Sequence, residues 1–233
     1  MSKNKGKIFE DDFKKSCEAQ GLWVMRLNDT SLSWQKEKTA RFTPNNICDF
    51  IVYRYPYMFL IENKSTTYKS IGIQRLPTDA KAMIQAHQIS DLSNAGLIEG
   101  IIPVFLFNFR NDEDINDNFT YAMRINDFND FLVESDKKSI NRMDVVQHNG
   151  IIVNQKIKRV HYTYDIEKML DEIIEEYKKT NKRKKLKEAK MAQVYNKIYT
   201  PEKWEKVNPE NKHIIDDFIL EYKARKKSEG TIK

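Results

Sequence analysis

Two carboxylates and an ammonium group stand at the ends of neighbouring apolar runs early in the chain. Asp49 precedes the run Ile51–Tyr53, and Glu62 and Lys64 close the run that begins at Met58. Side chains two residues apart in a strand point to the same face, so Glu62 and Lys64 should lie side by side. Hard cations such as Mg²⁺ prefer carboxylate and carbonyl oxygens, and a neighbouring lysine can orient or deprotonate water. The pattern predicts a divalent-metal site.

The two apolar runs are predicted to form a β-hairpin that positions these groups. Ile51–Tyr53 and Met58–Ile61 have strand composition, and residues 54–57 between them indicate a tight turn, because proline has no N–H to donate. The antiparallel pairing would bring Asp49 to the same edge of the sheet as Glu62.

Two predicted helices carry further candidate residues. Apolar residues recur at near-helical spacing from Lys7 to Gln20, and a second helix is predicted over Asp79–Ala95. Glu10 lies beside the apolar stripe of the first helix and is a candidate for the edge of the site, or an exposed surface glutamate. Gln88 lies beside the apolar face of the second helix, where its amide could hydrogen-bond a phosphate, a metal-bound water or Lys64.

The remaining pattern predicts one substantial core. Strands are expected over Leu22–Leu27, Gly100–Phe109 and Phe119–Ile125, and a long helix over Asp165–Ala192. The second of these strands is apolar throughout, as expected of a strand covered on both faces.

Composition indicates a folded soluble protein without a membrane span. The 233 residues are 40% hydrophobic and 32% charged, and no apolar run approaches the roughly 18 residues of a span. The first residues lack an apolar signal core, so a cytoplasmic location is predicted. Cys17 and Cys48 are too few for a disulfide framework and are expected to be reduced thiols.

Positive charge is concentrated at the C-terminal end. The net charge is +6, and residues 175–233 hold 17 Lys/Arg against 10 Asp/Glu. Within Lys178–Lys190 there are eight basic residues and one acidic residue, a pattern typical of nucleic-acid binding, with a solvated charged helix as the alternative. The apolar periodicity of the long helix fades near residue 174, so a domain boundary is predicted there, giving domains 1–174 and 175–233.

A long polar segment, Asn28–Asn46, mixes basic residues with Trp34 and Phe42. Such a mixture suits phosphate neutralisation and base stacking, although aromatics that pack back on the body are an open alternative. The candidate nucleic-acid contacts of the whole chain are Lys36, Lys38, Arg41, Lys69, Arg75, Lys137, Lys138, Lys182, Arg183, Lys184 and Lys185.

The order helix, strand, hairpin ending in Glu-Asn-Lys, helix, strand resembles the core of the PD-(D/E)xK nuclease superfamily, with Asp49 and Glu62–Lys64 as its signature. Over about residues 5–170 the chain resembles RecU-type Holliday junction resolvases, particularly phage-borne members from Gram-positive bacteria. The matching segments are GKIFEDDF, RFTPNNICDFIVYRYPYMFLIENKST, AHQISDL, IIPVFLFNF, MRINDFNDFL and DKKSI. This resemblance implies an α/β restriction-endonuclease-like core, a central mixed sheet flanked by helices, with a basic helical C-terminal extension.

The same resemblance implies a metal-dependent site. Asp49 and Glu62 would bind Mg²⁺, for which Mn²⁺ could substitute, with the Asn63 carbonyl as a third ligand. Glu10 would complete the acidic cluster, and Gln88 would support it from its helix.

Lys64 would position the attacking water and stabilise the pentacovalent phosphate. The implied reaction is hydrolysis of a phosphodiester, leaving a 5′-phosphate and a 3′-hydroxyl. The implied substrate is a four-way DNA junction nicked symmetrically during recombination or repair, which requires a homodimer, with recombination proteins as candidate partners. A PD-(D/E)xK nuclease with other DNA substrates and a non-catalytic DNA-branch-binding protein remain alternatives.

Two departures from the family pattern lie before Asp49, and the end of the chain lies outside the resemblance. Asn28–Asn46 is short where well-developed family members insert a stalk into the junction, and Cys48 stands where the superfamily signature has proline. Residues 199–233 are similar to the beginning of the SAM-like core-binding domain of phage integrases, which suggests additional DNA affinity, with a recombined phage gene as the alternative.

Overall fold

The computed structural model describes residues 5–27, 46–111, 113–159, 161–198, 205, 206 and 208–226. The chain divides into two compact units, Met1–Tyr177 and Lys178–Lys233. None of the helices within the described ranges is long and apolar enough to cross a membrane.

Within the described residues, the first unit holds the sheets and most of the helices. It opens with α1 (Lys5–Ala19), β1 (Trp23–Arg26), β2 (Phe50–Arg54), β3 (Tyr57–Thr66) and β4 (Ser70–Gly72). There follow α2 (Ala86–Ala95), β5 (Ile101–Phe109), β6 (Phe119–Arg124), α3 (Ile125–Glu134), β7 (Ser139–Asn141) and α4 (Arg142–Gln147). The last elements are β8 (Ile151–Ile152), β9 (Gln155–Lys158), β10 (His161–Tyr164) and α5 (Ile166–Ile198), which continues into the second unit, where α6 (Pro209–Lys226) also lies.

A mixed sheet organises the first unit. The described strands are ordered β1-β2-β3-β5-β6-β8, and β3 and β5 are parallel while the other neighbours are antiparallel. Two small antiparallel sheets, β4 with β7 and β9 with β10, stand apart from it. The predicted central mixed sheet flanked by helices is confirmed.

Apolar side chains alternate along the strands and fill a core on each face of the sheet. On β5, Val104 and Leu106 pack with residues of α1 and α5, whereas Phe105 and Phe107 pack with residues of α2 and α3. All four are fully buried. The prediction that this strand is covered on both faces is therefore confirmed, since successive strand residues point to opposite faces.

The predicted hairpin is confirmed as β2 and β3, joined by Tyr55 and Pro56. The helix predicted over Asp79–Ala95 is wrong at its start, because α2 begins only at Ala86. Ile84 instead forms a bridge with Ile73 and is fully buried, and its N–H donates to the Gly72 carbonyl at 3.0 Å. Tertiary pairing of this apolar residue replaces the first two turns of the predicted helix.

The strand β10, which the sequence pattern did not predict, fixes α1 to the body. Asp12 is buried, and its carboxylate accepts from the Tyr162 N–H at 2.9 Å and contacts His161 Nδ1 at 2.7 Å. One turn later, Ser16 Oγ accepts from the Tyr164 N–H at 3.0 Å. These polar contacts fix the position of α1 along the sheet.

Candidate functional site

Glu62 and Lys64 lie side by side near the C-terminal end of β3, as their spacing predicted. Lys64 Nζ donates to Glu62 Oε1 at 2.7 Å, and the side chains of Lys64 and Glu62 are only 11% and 4% exposed. A buried ion pair is costly to desolvate, and removal of one partner leaves a buried charge without compensation. The ion pair therefore holds the two side chains in fixed positions relative to each other.

Gln88 joins this pair from α2. Its Nε2 donates to Glu62 Oε1 at 2.6 Å, and its Oε1 accepts from the Gln85 N–H at 3.0 Å. The second contact caps the start of α2 and fixes which end of the amide faces Glu62. The structure thus brings Glu62, Lys64 and Gln88 together at a single carboxylate oxygen.

Asp49 reaches the same region from the residue that precedes β2. Its Oδ2 accepts from the Asn63 N–H at 2.7 Å, and its own N–H donates to the Ile61 carbonyl at 3.1 Å. These contacts hold Asp49 against the backbone that carries Glu62. The predicted convergence of both carboxylates at one end of the hairpin is present in the structure.

The Cys48 thiol is influenced by both carboxylates. Cys48 is buried, and burial raises the pKa of its thiol to about 12, with further upward contributions from the charges of Glu62 and Asp49. Both carboxylates therefore lie close enough to the buried Cys48 thiol to disfavour its ionisation.

The donor set is compatible with Mg²⁺. Across the described residues, no three His, Cys, Asp or Glu side chains are grouped so that they could hold a metal ion. Mg²⁺ does not require such a group, because it retains several waters and is usually held by one or two carboxylates together with substrate phosphate. Asp49 and Glu62 supply two carboxylates whose orientation is fixed by hydrogen bonds.

Glu10 lies on α1 and forms an ion pair with Arg26 at the end of β1. Arg26 Nη1 also contacts Asp11 Oδ1 at 3.3 Å, and its guanidinium group lies 5.8 Å from the centre of the Phe50 ring. Glu10 is not gathered with Asp49 into a group of three acidic residues among the residues described, and its part in an acidic cluster stays a prediction. The sequence analysis did not predict that Arg26 pairs with Glu10. A charged residue at the end of the otherwise apolar strand β1 was the feature that could have indicated it.

Asn63 follows Glu62 but faces the opposite side of β3. It is buried at 8% exposure, and its side-chain Oδ1 and Nδ2 have no hydrogen-bond partner among the described residues. Its N–H is the group that holds Asp49. The proposed ligand role of its carbonyl oxygen stays a prediction.

Several predicted nucleic-acid contacts have structural partners within the protein. Arg75 donates to three backbone carbonyls around the end of α3, those of Leu132, Ser135 and Lys137. Lys137 Nζ lies 2.6 Å from Asp144 Oδ1, and Lys138 Nζ lies 3.3 Å from Asp79 Oδ1. Arg75 is thereby engaged in capping α3, while both lysine side chains remain more than half exposed, and DNA binding by all three stays a prediction.

The other predicted contacts differ in what the structure describes. Lys69 is exposed between β3 and β4, and Lys182 and Arg183 are exposed on α5. Lys184 and Lys185 belong to the same helix, but their side chains lie outside the described part of the chain, as do Lys36, Lys38 and Arg41 altogether. Among the predicted site residues, the structure therefore brings four close together: Asp49, Glu62, Lys64 and Gln88.

Fold and site together define a mixed α/β protein with a carboxylate pair and a lysine at the end of a β-hairpin. No family model matches the chain. It is 30% identical over 190 residues to the SPbeta prophage-derived uncharacterized protein YotM of Bacillus subtilis (strain 168), across 77% of this chain and 91% of that protein. The chain belongs to the same family as YotM.

A weaker likeness is found to a solved structure. Hjc of Archaeoglobus fulgidus, a Holliday junction resolvase from an archaeal hyperthermophile, matches with a TM-score of 0.40 and 13% identity, over 63% of this chain and 95% of that chain. A TM-score at this level does not establish a common fold.

Proposed function

We propose that the protein is a Mg²⁺-dependent endonuclease of the RecU type, with a PD-(D/E)xK fold, that nicks four-way DNA junctions. The observation that carries this proposal is the contact of Lys64 and Gln88 with Glu62, next to Asp49 on the adjoining strand. Two oriented carboxylates can hold a metal ion that assists hydrolysis of a phosphodiester, and a buried lysine beside them can orient water. The prophage origin of YotM is compatible with a phage recombination role.

Each residue has a distinct part in this proposal. Asp49 and Glu62 would hold Mg²⁺, with the Asn63 carbonyl as a further oxygen ligand; when bound, the ion neutralises phosphate charge and makes water more acidic. Lys64 would orient the attacking water and stabilise the additional negative charge on phosphorus. Gln88 would keep Glu62 in place through its amide.

The proposal includes two copies of the chain. Symmetric nicks in opposite strands need two sites at a fixed separation, which a homodimer provides. Cleavage would leave a 5′-phosphate and a 3′-hydroxyl. Recombination proteins are proposed as further partners, and the host cytoplasm as the place of action.

Cleavage of a labelled mobile four-way junction and a matched duplex, with Mg²⁺ or EDTA, tests this function. Wild type should nick the junction symmetrically in the presence of Mg²⁺ and should not cut it in EDTA. Asp49→Asn should cut at least about 100-fold more slowly, because metal assistance contributes several kcal/mol, while junction binding is retained. The exposed Asp136 provides the control variant Asp136→Asn, which should cut like wild type.

Two further readouts separate the parts of the proposal. A cruciform plasmid should pass directly to the linear form if two sites act together, whereas a free nicked intermediate would contradict the homodimer. Equal cutting of duplex and junction would contradict junction selectivity. Normal cleavage by Asp49→Asn would overturn the metal site.

A further inference from the structure

An exposed aromatic residue stands at the turn that follows the strand carrying Glu62 and Lys64. The β3–β4 tip consists of Thr67, Tyr68 and Lys69, all three of which are exposed. Tyr68 is 78% exposed, although its ring is large and mostly apolar. A tyrosine ring offers a flat stacking surface with few rotatable bonds, and Lys69 beside it adds a positive charge.

The tip is held in place at both of its ends. On one side, Thr66 is paired with Phe109 in the main sheet, and its carbonyl accepts from the Arg110 N–H at 2.8 Å. On the other side, β4 pairs with β7. The Tyr68 N–H also donates to Thr66 Oγ1 at 3.0 Å. The backbone that carries the ring is therefore held before any ligand binds, which reduces the entropy cost of ordering the tip on binding.

The tip is close to the proposed reaction centre along the chain. Tyr68 follows Lys64 by about four residues, so their Cα atoms are at most about 14 Å apart. One strand of duplex DNA advances about 3.4 Å per nucleotide. The Cα atom of Tyr68 is thus no farther from that of Lys64 than the length of about four nucleotides of one DNA strand, and the two side chains extend this reach. Tyr55, which is 83% exposed, lies in the turn at the opposite end of β3 and lacks this proximity.

We propose that Tyr68 stacks on an unpaired or unstacked base next to the phosphate that is cleaved, and so selects distorted DNA over regular duplex. This inference rests on the proposed nuclease function. Aromatic side chains stack on any accessible base, whereas the bases of an intact duplex are already stacked on each other. An unstacked base at a branch point has an exposed face, whereas both faces of a base in duplex DNA are covered by its neighbours. Lys69 can contact the flanking phosphate.

Binding to junctions with single abasic positions tests this inference without cleavage. Junctions carry one abasic position at each of the four nucleotides on either side of the branch point, and affinity is measured in EDTA for the full chain. Wild type should bind about 5- to 100-fold more weakly when one of these positions is abasic, because a stacked base contributes that range. Tyr68→Ala should bind the intact junction more weakly by the same factor and become insensitive to the abasic positions.

Two variants and a duplex serve as controls. Tyr68→Phe keeps the ring and should behave like wild type, and Tyr55→Ala removes an equally exposed ring elsewhere and should do the same. The affinity for a fully paired duplex should be nearly equal for Tyr68→Ala and wild type.

The outcomes separate this inference from the proposed function. If wild type cuts junctions but Tyr68→Ala keeps the wild-type abasic profile, the stacking role is overturned while the nuclease stands. An equal decrease in duplex affinity, or weaker junction binding by Tyr68→Phe, would also overturn stacking on an unpaired base. A wild type without DNA binding would overturn both.

Discussion

Glu62 is the residue on which the other groups of the site depend. Its Oε1 accepts from Lys64 and Gln88, and Asp49 is held against the N–H of the next residue. A carboxylate fixed by two donors gives up little freedom when it binds a cation. The site is therefore organised through hydrogen bonds on β3 rather than, within the described residues, through a group of three acidic side chains.

Removal of the Gln88 amide should weaken metal use. Gln88→Ala should raise the Mg²⁺ concentration for half-maximal cleavage by about 10- to 100-fold, because residues that orient metal ligands contribute that range. A Mg²⁺ titration of the cleavage rate measures the effect. In the proposed mechanism Gln88 is a positioning residue, because it acts on the metal through Glu62.

Gln74→Ala is a matched control for the helix cap. Gln74 Oε1 accepts from the Ala86 N–H at 3.0 Å at the start of the same helix. Each variant should lower the unfolding free energy in urea by about 1 kcal/mol, as expected when a helix cap is removed. Only Gln88→Ala should change the Mg²⁺ dependence of cleavage. If both variants changed it equally, Gln88 would act only as a cap of the helix.

The helix α1 covers one face of the sheet with a fully buried apolar stripe. Phe9, Phe13 and Cys17 are all at 0% exposure, and the Phe13 ring centre lies 5.1 Å from that of Phe50. Burial raises the pKa of the Cys17 thiol to about 12, with a smaller contribution from Glu18. The thiol therefore reports whether α1 is packed on the sheet.

Alkaline pH should destabilise the protein through Cys17. In an unfolded chain a thiol ionises near about pH 8.5, whereas in the folded protein Cys17 stays protonated up to about pH 12. Between these values the unfolded state binds fewer protons at Cys17, so this thiol lowers the unfolding free energy by up to about 1.4 kcal/mol per pH unit, and the buried Cys48 acts in the same direction. Urea unfolding between about pH 8 and pH 10.5 measures this fall.

Cys17→Ala is the reference for that measurement, since it lacks the titrating thiol. As the pH rises, the unfolding free energy of wild type should fall more steeply than that of Cys17→Ala. Alkylation by iodoacetamide at about pH 8.5, where an exposed thiol is partly ionised, should spare Cys17 until urea unfolds the protein. Rapid alkylation of Cys17 in the native protein would contradict the burial of this face.

For the elements, local sequence patterns predicted some features and missed others. The hairpin was predictable because its two apolar runs and their turn are contiguous, and the position of Lys64 beside Glu62 follows from strand alternation alone. The start of α2 was not predictable, because Ile84 is taken from the helix by a bridge to Ile73. The pairing of Glu10 with Arg26 was equally hidden, since it depends on how α1 lies against β1.

The whole molecule separates a nearly neutral body from a basic end. The first unit ends at Tyr177, and Lys178–Lys190, with its eight basic residues, falls within the second. Such a run increases affinity for any polyanion without reading its sequence. We expect the chemistry to depend on the first unit and the salt dependence of binding to depend on the second.

Neutralising Lys182–Lys185 to glutamine should flatten the salt dependence of DNA binding. Each cation that no longer neutralises a phosphate lowers the slope of log K against log salt by about 0.9, so replacing all four would lower it by up to about 3 to 4. Cleavage positions on the junction should not move. Equilibrium binding measured between about 50 and 200 mM salt gives the slope.

Lys168→Gln is the control on the same helix. Lys168 Nζ lies 3.8 Å from Glu172 Oε1 in the first unit, and its replacement should leave the slope nearly unchanged. An unchanged slope in the quadruple variant would identify residues 182–185 as an ordinary solvated helix surface.

The two faces of strand β3 carry side chains with different roles. This difference affects which substitutions the protein can accept during evolution. Glu62 and Lys64 point toward α2, whereas Phe59 and Ile61 pack in the core beneath α1. Substitutions at Phe59 and Ile61 would act on folding alone, whereas substitutions at Glu62 and Lys64 would act on the proposed chemistry and, through the buried ion pair, on stability as well. Related chains could therefore vary in stability and keep the proposed activity through changes at Phe59 and Ile61, while changes at Glu62 and Lys64 would alter both properties together.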